Sequence, residues 1–316
     1  MMKTRVTEIR SCGSRIKLLT LEPEDGSRLP DYTAGAHIDL KLGNGLIRQY
    51  SLWHYPMTDN AYRIAVLHEE TSRGGSQYIH EHIRIGDILD INTPRNLFPL
   101  AEGKQRALLF AGGIGITPLM AMFEALLQQG VEVKLYYFCR NEADILFAER
   151  LQQADAAGKV ELIHQSPRRS PELLSSLIEA PADGLHLYTC GPLGFMDAVF
   201  QTASAKGWPS ENLHRELFQA APLDESENRP FQVQIASNGA LIDIPADKSI
   251  TQVLEEEGYF VPVSCEEGIC GTCLTHLVDG EVLHRDQFLT EEEHAEGKVF
   301  TPCCSRARSD VLVLDL

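Results

Sequence analysis

Residues 264–278 read SCEEGICGTCLTHLV and contain three of the eight cysteines of the chain. Cys265, Cys270 and Cys273 have the spacing C-x4-C-x2-C, and Cys303 lies 30 residues after Cys273 in TPCCSRA. Plant-type 2Fe–2S proteins use this spacing, in which one loop supplies three thiolates and a distant segment supplies the fourth. The stretch therefore predicts a domain that holds a 2Fe–2S cluster on these four cysteines.

The glycines between the cysteines support the same prediction. Gly268 and Gly271 let the backbone approach the inorganic sulfides and leave amide N–H groups free to bond them. Structural zinc is the main alternative, but zinc sites favour separate C-x2-4-C pairs, whereas both spacings here share Cys270. Unligated core cysteines are a further alternative. His276 and His284 suggest a Rieske site, which four available cysteines disfavour.

Composition limits the class of protein. The chain has 316 residues, 43% hydrophobic and 23% charged, which suits a globular protein of two or three domains. The sequence contains no run of about 20 apolar residues, so no membrane-spanning helix is predicted. The N-terminus lacks the apolar stretch of a secretory signal, so we expect a cytoplasmic protein with reduced thiols.

The net charge also limits the class of protein, and its distribution suggests a binding partner. A formal net charge of −17 argues against binding to nucleic acids or anionic membranes. Residues 224–316 carry 19 acidic and 6 basic side chains, a net charge of −13. This acidity is either a well-solvated surface or a docking face for a basic partner.

The pattern of the chain predicts three domains. Residues 1–102 alternate apolar and polar side chains, as in HIDLKL at 37–42, and predict an antiparallel barrel. Residues 103–222 alternate strands and helices, which predicts a parallel sheet covered on both faces. A polar linker at 223–229 leads to 230–316, with a hairpin, a helix and the cysteine loop.

Two helices of the middle region carry specific expectations. In TPLMAMFEALLQQG, Thr117 is predicted to cap the helix, Pro118 to occupy its first turn and Gly130 to end it. The stretch ADILFAERLQQA predicts another helix at 143–154. In the last domain, Ser249 and Gln252 have the spacing of a capping box.

Two stretches of the first domain suggest a flavin. Arg48-Gln49-Tyr50-Ser51 follows a strand, where the arginine can bind a phosphate, the tyrosine can lie on an isoalloxazine and the serine can reach its N5. A surface arginine and a core tyrosine are the plainer interpretation. Gly74, Gly75 and Ser76 open a helix whose amides and dipole favour an anion, such as the single phosphate of FMN.

Two strand–turn–helix stretches suggest a nicotinamide. Gly112, Gly113 and Gly115 let a pyrophosphate approach a helix N-terminus, although GGxGxTP departs from the Rossmann fingerprint. Cys190, Gly191 and Pro192 follow a parallel strand at the edge where such sheets bind ligands. Tight turns and a buried small residue are the alternatives. Arg140 and Phe147 follow another strand, where Phe147 can stack adenine; no basic cluster requires a 2′-phosphate, so NADH is favoured over NADPH.

Taken in order, RQYS, RGGS, GGIGITP, CGP and C-x4-C-x2-C…C resemble the phthalate dioxygenase reductase family across essentially all 316 residues. The resemblance is strongest to reductase components of vanillate O-demethylase and related Rieske oxygenases. It implies a flavin barrel of the ferredoxin-reductase type, a nucleotide-binding domain and a C-terminal β-grasp ferredoxin domain. It also places Cys303, rather than Cys304, at the ligand position.

The resemblance implies roles for the predicted site residues. FMN is expected to contact Arg48, Tyr50, Ser51, Gly74, Gly75 and Ser76. NADH is expected to contact Gly112, Gly113, Gly115 and Thr117, and its nicotinamide end is expected to lie near Cys190, Gly191 and Pro192. Phe218 is expected to cover the other flavin face, the alternative being a core residue of the last strand. Ser51, Cys190 and Phe218 are therefore the expected catalytic residues.

The implied function is electron transfer. NADH gives hydride to FMN, and single electrons pass through the 2Fe–2S cluster to a separate Rieske-type oxygenase that docks on the acidic ferredoxin domain. A stand-alone reductase of flavin, ferric iron or dioxygen is one alternative. A ferredoxin-like carrier or sensor without nucleotide turnover is the other.

Overall fold

A computed structural model of the chain describes residues 1–69, 74–103, 106–153, 158–164, 171–220, 223 and 226–316. The chain divides into two compact units, Met1–Leu217 and Phe218–Leu316. The domain boundaries at 102/103 and 222/223 stay predictions, and Asp224 and Glu225 of the predicted linker lie outside the described residues. Within the described ranges, no helix combines the length and the apolar character needed to cross a membrane.

The first unit begins with a six-stranded antiparallel sheet in the order β4-β3-β6-β1-β2-β5. Ile38, Leu40, Ile64 and Val66 are fully buried in it, as their alternation with polar residues predicts. The N–H of Trp53, just after β4, donates to the carbonyl of Arg63 in β5 at 3.2 Å, so the two ends of the strand order meet. The predicted antiparallel barrel is confirmed. Its elements are β1 (Met2–Cys12), β2 (Ile16–Pro23), β3 (His37–Lys41), β4 (Ile47–Ser51), β5 (Tyr62–Leu67), α1 (Gly75–His82) and β6 (Ile88–Ile91).

The first unit continues with a five-stranded, wholly parallel sheet. Its strands are β7 (Arg106–Gly112), β8 (Val133–Cys139), β9 (Val160–His164), β10 (Leu185–Cys190) and β11 (Leu213–Glu216), in the order β11-β10-β7-β8-β9. Its helices are α2 (Ile116–Gln128), α3 (Ala148–Leu151), α4 (Pro171–Leu177) and α5 (Leu193–Ala205). Leu109 of β7 packs in a core with α2, whereas the next residue, Phe110, packs in a core with α5. Both faces are covered, as the alternation of strands and helices predicts.

The predicted helix over 143–154 is wrong as one helix for residues 143–153, and Ala154 lies outside the described residues. The structure has a 3-10 turn at Glu142–Asp144, then extended Ile145 and a turn at residues 146–147, then α3 with only four residues. Leu146 in that turn is fully buried, and Phe147 has φ 61°. The core needs Leu146 at a place that a continuous helix does not reach, and such tertiary packing outweighs helix propensity over a short stretch.

The start of α2 also differs from the prediction. Thr117 does not cap the helix: Gly115 is the N-cap, and Thr117 lies in the first turn, where its Oγ1 donates to the carbonyl of Ile114 at 3.0 Å. A 3-10 turn at Gly113–Gly115 runs directly into α2 and leaves no separate capping position for Thr117. Gly130, with φ 67°, follows the end of the helix as predicted.

The second unit has a five-stranded mixed sheet in the order β13-β12-β18-β14-β16 and a two-stranded sheet, β15-β17. Its elements are β12 (Phe231–Ile235), β13 (Leu241–Ile244), α6 (Ile250–Glu256), β14 (Thr275–Asp279), β15 (Val282–Leu283), α7 (Glu291–Glu296), β16 (Val299–Phe300), β17 (Arg306–Ala307) and β18 (Val311–Leu314). The predicted hairpin is present as β12 and β13. The predicted capping box begins α6, because Ser249 accepts from the N–H of Gln252 and the Gln252 side chain accepts in return.

Arg306 joins distant segments of this unit. Its buried guanidinium donates to the carbonyls of Lys248, Arg229 and Pro245 at 2.6, 2.9 and 2.9 Å. It also lies 4.8 Å from the centre of the Phe231 ring, a cation–π contact. The strand that follows the last two cysteines is therefore attached to the beginning of the unit.

Candidate functional site

The four cysteines predicted to hold a cluster lie together in the second unit. Cys265, Cys270, Cys273 and Cys303 are all buried, and all four are thiols rather than disulfide sulfurs. Hydrogen bonding with Cys270 and Cys303 lowers the pKa of Cys265, and hydrogen bonding with Cys303 lowers the pKa of Cys273. Four thiols in hydrogen-bonding contact form the soft donor set that an iron–sulfur cluster requires, so the residues fit the cluster.

The glycines of the cysteine loop are needed for packing as well as for amide exposure. Gly268 and Gly271 have φ of 73° and 65°, in the left-handed region. A Cβ at Gly271 would lie 2.3 Å from the ring of Phe288, and a Cβ at Gly268 would lie 2.4 Å from Sγ of Cys304. The loop is thus pressed against neighbouring segments at both glycines, and a side chain at either position would move it.

Cys303 and Cys304 have different surroundings. Cys303 hydrogen-bonds with Cys265, Cys273 and Cys304. Cys304 contacts Cys303 from outside that set, and its Sγ lies 3.3 Å from Oγ1 of Thr301 and 3.8 Å from the Thr301 carbonyl. The contacts favour Cys303 as the fourth ligand and give Cys304 a place in the core beside it. This assignment stays a prediction.

The predicted phosphate residues of the first unit are brought together. A Cβ on Gly75 would lie 2.6 Å from Cγ and 2.7 Å from Nε of Arg48, so the glycine lets the arginine lie against the first turn of α1. Gly74, with φ 89°, is the N-cap of that helix, and Oγ of Ser76 accepts from the N–H of Glu69 at 3.3 Å. A guanidinium over a helix N-terminus suits a phosphate, so these residues fit FMN. Arg73 of the RGGS motif lies outside the described residues.

The residues of β4 face in two directions. Arg48 and Tyr50 pair with Leu40 and Ile38 of β3 and share their face of the sheet, and burial raises the pKa of the Tyr50 phenol. Gln49 donates to Oδ1 of Asp39 on the other face at 2.9 Å. Ser51 also lies on that other face. The tyrosine and the serine therefore reach any common ligand from different sides of the strand.

Two glycine turns of the parallel sheet pack directly against each other. A Cβ on Gly115 would lie 2.2 Å from the carbonyl oxygen of Cys190, and a Cβ on Gly191 would lie 2.9 Å from Cα of Gly112. Gly113 differs, because it is exposed, has φ 57° and has open space around its Cβ position. Gly112, Gly115 and Gly191 let the strand ends approach each other, and Gly113 leaves backbone accessible to a pyrophosphate. The edge therefore fits a dinucleotide.

Glu216 is a site residue that the sequence analysis missed. It ends β11 beside Cys190 of β10, and its Oε2 accepts from Oγ of Ser51 at 3.5 Å. Burial raises the pKa of Glu216 to about 8, and burial together with the charge of Glu216 raises the pKa of Cys190. Ser51, Cys190 and Glu216 thus form one cluster between the two sheets of the first unit. The parallel pairing of β10 with β11 brings Glu216 next to Cys190. None of the sequence motifs described above includes Glu216.

The remaining predicted residues are placed as follows. Arg140 is exposed just after β8, at the carboxyl edge of the sheet, and exposed Pro192 is the N-cap of α5. The ring of Phe147 lies 4.5 Å from that of Trp53. Phe218 follows β11 and is 38% exposed, so the alternative that it is a core residue of the last strand is wrong. The ligand contacts of these residues, and of buried Thr117, stay predictions.

Family models match two parts of the chain. Residues 109–201 match the oxidoreductase NAD-binding domain, and residues 233–308 match the 2Fe-2S iron-sulfur cluster binding domain. The first range contains the two glycine turns that pack together, and the second contains all four clustered cysteines. The two models therefore match the two regions where the geometry suggests cofactor sites.

Individual proteins match the whole chain. It is 47% identical over 317 residues to a vanillate O-demethylase oxidoreductase from Pseudomonas sp. (strain HR199 / DSM 7063), covering 100% of both chains. Its fold resembles that of phthalate dioxygenase reductase, with 35% identity, a TM-score of 0.77 and coverage of 100% of this chain and 98% of that one. It also resembles an intact type IV self-sufficient cytochrome P450 monooxygenase, with 36% identity and a TM-score of 0.86, where all of this chain matches 41% of that chain.

Proposed function

The chain belongs to the family of phthalate dioxygenase reductase and vanillate O-demethylase oxidoreductase, and on that basis we propose that it is the NADH-dependent reductase component of a Rieske-type oxygenase system. When bound, FMN would accept two electrons as hydride and release them one at a time. The 2Fe–2S cluster would deliver single electrons to the separate oxygenase. The observation that carries the proposal is that one chain combines the four-thiol site with the glycine-lined edge of a parallel sheet. A cytoplasmic location remains part of the proposal.

We assign binding of the flavin phosphate to Arg48 and the first turn of α1. The absence of a side chain at Gly75 lets Arg48 lie over the helix N-terminus, so the positive charge and the helix amides act on the same anion. Tyr50 contributes an aromatic surface, and the raised pKa of its buried phenol keeps the ring neutral. These residues bind and orient the ring system, and a single phosphate at this place suits FMN.

Ser51 and Glu216 are suited to hold a proton beside the flavin site. Oγ of Ser51 lies 3.5 Å from Oε2 of Glu216, and the Glu216 pKa of about 8 keeps this carboxyl largely protonated near neutral pH. A carboxylic acid that donates to, or accepts from, a serine hydroxyl can fix the direction of that hydroxyl. We assign Glu216 to positioning Ser51 and maintaining a neutral environment.

Cys190 provides a small neutral side chain at the expected nicotinamide end. It is fully buried, and burial raises the pKa of its thiol, so the thiol stays protonated at neutral pH. A neutral thiol is a poor nucleophile. Cys190 therefore acts through its size and its polarisable sulfur, and it excludes water from the edge where the dinucleotide binds.

An anaerobic spectrum of the purified protein, before and after one equivalent of NADH, tests the proposal. We expect overlapping flavin and iron–sulfur absorption that bleaches together, and FMN as the flavin released on denaturation. A protein that lacks either chromophore, or a cluster that stays oxidised after the flavin bleaches, contradicts the proposed order of electron transfer.

Arg48→Ala tests the phosphate assignment separately. Loss of the guanidinium should weaken FMN retention by at least about tenfold, since a charge-assisted contact is worth roughly 1.5–3 kcal/mol. Bound flavin after gel filtration and the FMN dissociation constant are the measurements. Arg28→Ala is the matched control, because Arg28 is a largely exposed arginine of the same unit. Equal flavin content in both variants would refute the assignment.

We propose that the oxygenase docks on the acidic face of the second unit, near the cysteine loop. Glu266 supports this location, because it is exposed and directly follows Cys265. Glu266→Gln should slow reduction of cytochrome c, a basic one-electron acceptor, at low salt, and the difference should vanish at high salt. Glu292→Gln is the control, because it also removes one negative charge, but from exposed helix α7 farther along the chain. Identical rates for both variants would contradict a docking face at Glu266.

A further inference from the structure

We propose that His284, Asp286 and His294 form a binding site for a divalent transition-metal cation of the zinc type, distinct from the four-cysteine site. All three lie in the second unit: the first two between β15 and α7, and the third in α7. The proposal does not depend on the proposed electron-transfer function, because the site would exist whether or not the chain serves an oxygenase.

The three donor atoms lie close enough together for one metal ion to contact all of them. All lie within 4.8 Å of one another. Nδ1 of His284 is 3.6 Å and Nε2 of His294 is 3.2 Å from Oδ1 of Asp286. Ligands about 2.0–2.1 Å from a tetrahedral zinc ion lie roughly 3.3 Å from each other. Two imidazoles and one carboxylate are also a ligand set that zinc and its neighbours use.

The carboxylate is oriented by the backbone. The side chain of Asp286 is fully buried, and its Oδ2 accepts from the N–H groups of Phe288 and Leu289 at 3.2 and 2.8 Å. Oδ1 is thereby turned toward both imidazoles. Such outer contacts are typical of metal-binding carboxylates, because they fix the direction of the ligand atom.

His284 has a nitrogen that the protein leaves unsatisfied. Its Nδ1 is buried and has no hydrogen-bond partner in the part of the chain that the structure describes. The 3.2 Å between Nε2 of His294 and Oδ1 of Asp286 is an ordinary hydrogen-bond distance. The 3.6 Å between Nδ1 of His284 and the same oxygen is too long for one. A buried polar atom without a partner is unfavourable unless a water or an ion occupies the place. A cation between the three side chains satisfies both imidazoles and the carboxylate together.

The site is accessible from solvent. A cavity of about 520 Å³ is lined by both histidines and by Glu281 and Arg308, among others. The His284 and His294 side chains are 12% and 29% exposed. The charges of Glu281 and Arg308 oppose each other, so neither sign dominates the cavity wall. Water molecules can complete the coordination from this side.

The site lies close to the cysteine loop. The N–H of Gln287 donates to the carbonyl of Gly268 at 3.0 Å, and a Cβ on Gly268 would lie 2.9 Å from Cα of Asp286. A cation held by Asp286 would stiffen the segment against which the loop packs. We therefore expect occupancy to protect the loop as well as the site.

Zinc binding by the full-length protein, with its flavin and iron retained, tests the proposal. We expect equilibrium dialysis with metal analysis to find one Zn²⁺ per chain in addition to the iron. His294→Ala should weaken this binding at least about tenfold. His276→Ala is the control, because His276 is an exposed histidine of the same unit outside the cluster. No bound zinc in the parent protein, or equal affinity in the two variants, would overturn the proposal.

X-ray absorption at the zinc edge identifies the ligands directly. Nitrogen and oxygen neighbours at about 2.0–2.1 Å support the site, whereas sulfur neighbours at about 2.3 Å would mean that zinc had entered the cysteine site and would refute it. His284→Gln provides a second variant, and the visible circular dichroism of the cluster verifies that each variant is folded. A zinc spectrum unchanged in His284→Gln would also refute the proposal.

Discussion

The cysteine loop and the flavin–nicotinamide edge are built in different ways. The loop takes three of its four ligands from residues 265–273, whereas the edge collects Arg48, Ser51, Gly113, Cys190 and Glu216 from strands and turns far apart in sequence. The first arrangement depends on spacing along the chain, and the second on sheet order and strand register. We therefore expect the local site to tolerate changes elsewhere in the fold better than the assembled site does.

The largest expected effect concerns the local site. Cys270→Ser should abolish cluster binding, because a hydroxyl is a poor ligand for iron in this soft donor set. Iron content and the visible circular dichroism of the purified protein are the measurements. NADH-dependent reduction of a dye at the flavin should continue, since the two sites are built from different residues.

The matched control is Cys304→Ala. Cys304 bonds to Thr301 and lies next to Cys303, so its loss should leave the iron content unchanged. Equal loss of iron in both variants would place Cys304 among the ligands. Loss of dye reduction in Cys270→Ser would show that the assembled site depends on the local one.

The second prediction tests how closely the assembled site is packed. Gly115→Ala should destabilise the first unit by about 1–3 kcal/mol, because the new Cβ would meet the Cys190 carbonyl at 2.2 Å and backbone must move. The free energy of unfolding in urea and the KM for NADH should both worsen. In Gly194→Ala the methyl group meets open space in helix α5, so stability should stay equal or rise by up to about 1 kcal/mol. Similar losses in the two variants would refute the close approach of the turns.

The third prediction uses the raised pKa of Glu216. Folded Glu216 keeps its proton up to about pH 8, whereas the unfolded carboxyl releases it near pH 4.5, so folding binds a proton between these values. The contribution of Glu216 to stability should therefore fall as the pH rises from 4.5 to 8. Each unit of pKa difference corresponds to about 1.4 kcal/mol.

Glu216→Gln should remove this part of the pH dependence. Urea unfolding of parent and variant at pH 5 and pH 8 is the measurement, and the parent should lose more stability between them. Glu211→Gln, at an exposed glutamate just before β11, should behave like the parent. Parallel pH profiles for parent and Glu216→Gln would contradict the buried, protonated carboxyl.

The smallest effect concerns a local feature of the second unit. Ser249→Ala removes the capping box of α6 and should lower stability by about 1 kcal/mol. Thermal unfolding followed by the visible circular dichroism of the cluster measures it. Ser237→Ala, at an exposed serine, should have no measurable effect. If Ser249→Ala also changed the KM for NADH, the two regions would be less independent than their construction suggests.

The sequence predicts the locally built features of the structure better than the features assembled from distant segments. The cysteine spacing, the capping box and the alternation of strands and helices are local patterns, and the structure has the corresponding elements. Glu216 could not be predicted, because its place beside Cys190 depends on the pairing of β10 with β11. The helix over 143–154 failed for a related reason, since burial of Leu146 in the core outweighs the local periodicity.

The glycine turns show a subtler limit. The sequence indicates that glycines permit the approach of a ligand, whereas Gly115 and Gly191 permit the approach of another strand end. Both interpretations require a missing Cβ, so composition alone does not separate them. Only Gly113, with open space around it, has the surroundings that the ligand interpretation expects.

Arg306 has a consequence for how the protein acquires its iron. Its bonds to the carbonyls of Arg229, Pro245 and Lys248 hold the strand that follows Cys303, and none of them uses a cysteine sulfur. The conformational entropy of bringing the fourth ligand to the loop is therefore lost during folding rather than during metal binding. We expect chains made under iron limitation to fold first and to receive their cluster afterwards, with the place of the fourth ligand already set.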